Sequence, residues 1–197
     1  MATKPEAPKR GRGRPRREGA DEQILKVTLG LLQEQGYADM TVDEVAERTG
    51  VAKTTIYRRW PSKGTLVSAA TATLLPPFET PDTGTLEGDL LAVAERAHMI
   101  LSGKLGDIFA GLIGESQLDP DLHELLLQST RQRRQIYEAV VRRAIDRGEI
   151  SKDCDAELLI DMIVGAMWNR KLITRSSLRA TLPNELVQVV LKGVKRK

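Results

Sequence analysis

Cysteine is almost absent from this 197-residue chain: Cys154 stands alone, which excludes an internal disulfide and fits a reducing compartment. Its neighbours Asp153 and Asp155 disfavour a thiolate, so no nucleophile is expected there. Histidine is scarce too, and neither His98 nor His123 has a second histidine or a cysteine at metal-ligand spacing. Gly11 and Gly13 lie in a basic tail and Gly103 and Gly106 at a helix junction, so no phosphate-cradling loop is present. Neither a metal nor a cofactor is implied, and nothing supports catalysis. Aromatic residues make up 4% of the chain and no alternating β-branched run persists, which leaves an all-α fold. No apolar stretch reaches the roughly 18 to 20 residues that span a bilayer. Met1 is followed by a Lys/Arg/Pro/Gly tract instead of an apolar signal, so the expected location is the cytoplasm, with no membrane partner.

Charge is abundant and unevenly placed. The net charge is +3, yet residues 1–18 alone carry +5 and the remainder −2. This tail, rich in Pro, Gly and Arg, has no aliphatic residue larger than Ala after Met1 and cannot fold by itself. Arg10, Arg12 and Arg14, spaced by glycines, resemble an AT-hook, in which arginines follow the floor of a narrow, A·T-rich minor groove where negative potential concentrates. A basic tail that only touches phosphates, or only solubilises, fits the same residues equally well.

The most informative stretch is TVDEVAERTGVAKTTIYRRWPSK, from Thr41 to Lys63. Thr41 followed three residues later by Glu44 is a capping box, so a helix starts there. Val42, Val45 and Ala46 fall on one face, and Gly50 supplies the left-handed residue that stops the helix and turns the chain. A second helix is expected from Lys53 to about Arg59, with Ile56 and Trp60 on its buried side. Thr54 and Arg58 then point almost directly away, flanked by Thr55 and Tyr57, with Lys53 at the N-terminal tip. Such a face offers donors to phosphates and base edges and a Thr methyl to thymine. An ordinary helical hairpin with a solvated face is the plainer alternative.

The string from the Thr cap through GVAKTTIYRRWPSK resembles the TetR family of bacterial transcriptional regulators, with high specificity over residues 20–65. That resemblance implies base contacts from Lys53, Thr54 and Thr55, phosphate contacts from Thr41, Tyr57, Arg59 and Lys63, and either role for Arg58. Two departures stand out. Trp60 replaces the family's usual Phe, and Gly64-Thr65 replaces the acidic pair that often follows the lysine, which is expected to weaken the start of the fourth helix.

The remaining helices follow from periodicity and punctuation. The first runs from Ala20 to Gln35 with Ile24, Val27, Thr28, Leu31 and Leu32 inward, and stops at Gly36; Tyr37 and Met40 fill the corner behind it. The fourth runs from Ser62 to about Leu75 with Leu66, Val67, Ala70 and Leu74 inward. Prolines from Pro76 onward mark the boundary between a helix-turn-helix domain at 19–75, preceded by the arm at 1–18, and a body at 76–197. Five more helices are expected there: Leu86–Leu101, Leu105–Gln117, Asp119–Arg147 opened by Pro120 and closed by Gly148, Asp155–Thr174, and Pro183–Lys195. The expectation is thus a nine-helix fold.

From Ala156 to Trp168 the eighth helix is apolar on nearly every side, so something must cover its second face. The family resemblance names a second copy, through a four-helix interface, with Leu159, Met162, Ile163, Ala166, Leu186, Val189 and Val190 as candidates. A homodimer would meet two major grooves of double-stranded DNA and require a palindromic operator. For a small-molecule effector the candidates are Met99, Phe109, Leu112, Tyr137, Met167 and Trp168, residues equally readable as core, and an apolar lining favours a hydrophobic ligand. Arg131, Arg133 and Arg134 read as a solvated helix face before an anion site. The resulting expectation is a homodimeric regulator, most readily a repressor released by a small molecule. A ligand-independent architectural binder of A·T-rich DNA is its rival.

Overall fold

A computed structural model describes residues 19–75 and 79–194; the arm with Arg10, Arg12 and Arg14 and Lys195, the expected end of the last helix, lie outside the described residues. Nine α-helices and no strand occur among the described residues.

Helix α1 (Ala20–Asp39) buries Ile24, Thr28, Leu31 and Leu32. Gly36 breaks it with φ 80° and ψ −178°, after which the chain takes one more turn to Asp39 and buries Tyr37 and Met40. Helix α2 (Val42–Thr49) opens on the expected capping box: the Glu44 amide donates to Thr41 Oγ1 at 3.2 Å and the Thr41 amide to Glu44 Oε2 at 2.9 Å. Such a box contributes about 1 kcal/mol. Helix α3 (Lys53–Arg59) buries only Ile56, while Trp60 just beyond it is half-buried.

Helix α4 (Lys63–Ala72) differs from expectation at both ends. Its start is well capped: the Thr65 amide donates to Ser62 Oγ at 3.1 Å and the Ser62 amide to Thr65 Oγ1 at 3.0 Å. A hydroxyl does here what the carboxylate of a Glu does in the usual box. Gly64 is buried, and a Cβ there would stand 3.1 Å from Leu125 Cδ1, a methyl of the body. At the other end the helix stops at Ala72, so Leu74 is exposed instead of facing inward.

The body comprises α5 (Leu86–Ser102), α6 (Lys104–Ser116), α7 (Pro120–Asp146), α8 (Ala156–Asn169) and α9 (Leu182–Val194). Thr85, Asp119 and Asp155 cap α5, α7 and α8 through their side chains. Helix α8 ends earlier than expected, continuing as a π-helical turn over Arg170–Thr174 that Arg175 closes at φ 49°. In α9 the inward stripe is Leu182, Val187, Val190 and Leu191; of the three residues expected to meet a second copy, Val190 therefore turns inward, while Val189 faces outward and Leu186 is intermediate.

Two apolar clusters result. One fills the body between α5, α7, α8 and α9. The other fills the head but includes Leu112 of α6 and Leu122 of α7, with Ile108, Phe109 and Leu126 packed against it. Head and body therefore share a wall made by α6 and α7.

Candidate nucleic-acid interface and effector cavity

Helix α3 presents Lys53, Thr54, Tyr57, Arg58 and Arg59 to solvent, with Thr55 half-buried and Ile56 anchoring the opposite side. Several of these groups already have partners. Lys53 Nζ pairs with Asp43 Oδ1 at 2.6 Å, a contact that holds the ammonium above its ordinary range. The same ammonium lies 5.8 Å from the centre of the Tyr57 ring, which carries it along the helix face. Arg59 forms an ion pair with Asp21 of α1. Arg58 is exposed and pairs with no carboxylate among the described residues.

Lys63 is placed differently from the expectation of a phosphate contact. Its ammonium donates to the carbonyls of Tyr37 at 2.8 Å and of Ala38 and Met40 at 3.2 Å each, and lies 4.3 Å from the Tyr37 ring centre. All three donors are thus engaged in closing the carbonyl end of α1. Thr41 likewise directs its hydroxyl to Glu44.

In the body, a cavity of about 290 Å³ opens between α5, α6, α7 and α8. Three of the six residues expected to line it do so: Phe109, Tyr137 and Trp168. Met99 is 54% exposed on the far side of α5, Leu112 belongs to the head core, and Met167 is buried in the body core. The other walls are aliphatic, among them Ile100, Leu126, Ile160 and Val164. Arg133 and Arg134, read from the sequence as a solvated face, line the cavity instead, and only Arg131 of the three is exposed. The available signal was spacing: Leu126, Thr130, Arg133 and Tyr137 fall at i, i+4, i+7 and i+11, one face of α7.

The assembly candidates divide as well. Leu159, Ile163 and Val190 point into the chain's own core, so they are not available to a partner. Facing outward are Met162 at 44% and Val189 at 68%, joined by Leu158 at 57%, while Ala166 and Leu186 are intermediate. His98 Nε2 meets the Leu178 carbonyl at 2.8 Å, a structural tie, and burial followed by the Asp155 charge raises the Cys154 thiol pKa. No helix among the described residues is long and apolar enough to cross a membrane.

A capped α2, a glycine turn and an α3 whose outer face is cationic and hydroxyl-bearing, set on a helical body that encloses an apolar cavity, define a helix-turn-helix DNA-binding regulator. Residues 24–70 match the family described as bacterial regulatory proteins, tetR family, and residues 80–190 match the tetracyclin repressor-like C-terminal domain. The chain belongs to the TetR family of transcriptional regulators and is not an enzyme. It is 34% identical to the HTH-type transcriptional regulator YdeS of Bacillus subtilis over 93% of each chain. It is 30% identical to the DNA-binding transcriptional repressor TetR of Mycobacteroides abscessus over 85% of this chain and 90% of that one. Among solved structures, the TetR family transcription regulator SCO0332 matches at 33% identity with a TM-score of 0.69, covering 91% of this chain and all of the other.

Proposed function

We propose that the protein is a homodimeric repressor that binds a palindromic operator and releases it when a small hydrophobic molecule enters the body cavity. Lys53, Thr54 and Thr55 read bases, and Tyr57, Arg58 and Arg59 hold phosphates, with Arg59 exchanging Asp21 for a phosphate on binding. Lys63 acts by fixing the end of α1 beside the DNA, and Thr41 by fixing α2. Residues 19–75 serve as the DNA head and 76–197 as the body.

The observation that carries the effector reading is the shared wall. Phe109 and Leu126 line the cavity and also pack against the apolar core of the head. A ligand that prefers one setting of these side chains biases the head by its differential affinity for the two settings. Outward-facing Leu158, Met162 and Val189 support the second copy, because apolar side chains of this size gain by being covered. The repressor named in the M. abscessus relative supports the sign of regulation.

The test is a footprint of the full chain on the DNA flanking its own gene, with and without residues 1–18. The repressor reading expects a protected palindrome that depends on Lys53. The architectural alternative expects diffuse protection of A·T-rich DNA that vanishes with the arm. If the arm touches phosphates, its deletion flattens the slope of log affinity against log salt by about 0.9 for each phosphate the arm neutralises.

A further inference from the structure

Arg133 is a cation in a cavity whose walls are mostly apolar. Its guanidinium donates to Thr130 Oγ1 at 3.3 Å, and no carboxylate pairs with it among the described residues. Thr130 in turn donates to the Leu126 carbonyl at 2.9 Å, so this hydroxyl steadies the arginine without neutralising it. The contrast with Arg134 is sharp: that side chain is held by Glu157 at 2.6 Å and Asp161 at 3.3 Å. Around Arg133 the cavity is formed by Ile100, Phe109, Ile160, Val164 and Trp168. Burial lowers the Arg133 pKa from its ordinary value, which expresses the cost of keeping the charge there. A guanidinium cannot escape that cost by losing its proton at neutral pH, so it gains most from a bound anion.

We infer that the effector is an apolar monocarboxylate, with an alkyl or aryl body, whose head group pairs with Arg133. This rests on the reading of the cavity as an effector site. The guanidinium fork matches a carboxylate in two parallel hydrogen bonds. Tyr137, one turn further along α7, lines the same cavity, and burial raises its pKa, so its phenol stays protonated as a further donor. One unpaired cation balances one charge. Glu138, Glu157 and Asp161 also line the cavity and are exposed to solvent, so a ligand carrying several phosphates meets repulsion there that Arg134 offsets only in part. The aliphatic and aromatic walls set the remainder of the ligand as hydrocarbon, since apolar surface gains by leaving water.

The test is calorimetric titration of the full chain with decanoate and 2-naphthoate, each beside its primary amide, and with decylammonium. The expected result is that at least one acid binds about 10-fold or more tightly than its amide, and that decylammonium binds weakest. Arg133→Met should abolish the acid's advantage and, in the absence of ligand, leave the chain as stable as the parent or more so; Arg133→Lys should keep part of the advantage. Equal binding of acid and amide to the unaltered protein, or tightest binding of the ammonium, overturns the carboxylate inference while leaving the cavity as an effector site. If no acid, amide or amine binds or shifts the thermal midpoint, the inference falls together with the effector reading. The comparison of acid with amide needs no variant, so it stands even if Arg133→Met fails to fold.

Discussion

The Tyr37 hydroxyl donates a 3.2 Å hydrogen bond to Oδ2 of Asp119, a residue 82 positions later. Asp119 is the cap of α7, and its Oδ1 accepts from the amides of Asp121 at 3.1 Å and Leu122 at 3.0 Å. One carboxylate therefore starts the longest helix of the body and holds the corner of the DNA head. Burial above all, and then the Asp119 charge, pushes the phenol pKa far above its ordinary value, so the hydroxyl remains a donor throughout the neutral range. Lys63 over the Tyr37 ring and Gly64 against Leu125 complete the junction.

Replacing Tyr37 with Phe removes only this bond. The expected loss is about 1 kcal/mol, read as a lower thermal midpoint of the full chain, with the helix content unchanged. An unaltered midpoint would show that the bond contributes nothing net.

Two capping carboxylates contribute to the response to acid. The backbone amide of Thr41 leads the lowering of the Glu44 pKa, and the amide of Leu122 leads that of Asp119, from ordinary values of 4.5 and 3.8. Because both folded-state values are depressed, their contributions are complete above the ordinary values and fade as pH falls through the depressed ones. Thermal midpoints measured from about pH 6 down to pH 3 should show this decline, and the pair Glu44→Gln with Asp119→Asn should flatten it. A decline of the same size in the double variant would place the acid sensitivity elsewhere.

On the DNA face, Lys53→Ala should weaken specific binding by about 1–3 kcal/mol and relax base preference, whereas Arg58→Ala should weaken all sequences alike and lower the salt slope by about 1. Both side chains are exposed, so stability should stay within about 0.5 kcal/mol. Binding that depends on Arg58 but not on Lys53 would move base recognition away from the tip of α3.

Val189→Glu places a charge on the outward face of α9, at a residue 68% exposed in the single chain. Light scattering should then report a monomer, and operator affinity should fall with it, while circular dichroism stays that of the parent. A variant that remains dimeric would remove this face from the interface.

Local signals made the head legible. The Thr41 and Glu44 box, the Gly50 turn and the lone buried Ile56 all lie within a few residues of the partners that explain them. What stayed hidden depends on distant chain. Lys63 resembles a free cation until α1 brings three carbonyls, 23 to 26 residues back, beneath it. Gly64 looks like a poor helix residue until Leu125 arrives against it. Thr65 was readable, since a hydroxyl at the third helical position closes a box as a carboxylate does. In the body, apolar periodicity located the helices but not which apolar face meets which neighbour, so Leu112 and Met167 went to cores and Arg133 to the cavity. A helix apolar on nearly every side, as α8 is, announces two covered faces without saying which residue serves which.

In the proposed function, operator recognition rests on two copies of α3 reading two half-sites together. It is tested by the binding stoichiometry and affinity of the full chain on a duplex carrying the footprinted palindrome. The comparisons are the same duplex with one half-site scrambled, and duplexes with half-sites moved from their spacing of about 34–36 Å. Paired reading requires one dimer per palindrome and a fall in most of the affinity when either half-site is scrambled or the half-sites are moved from that spacing. Equal affinity for intact, scrambled and respaced duplexes would rule it out.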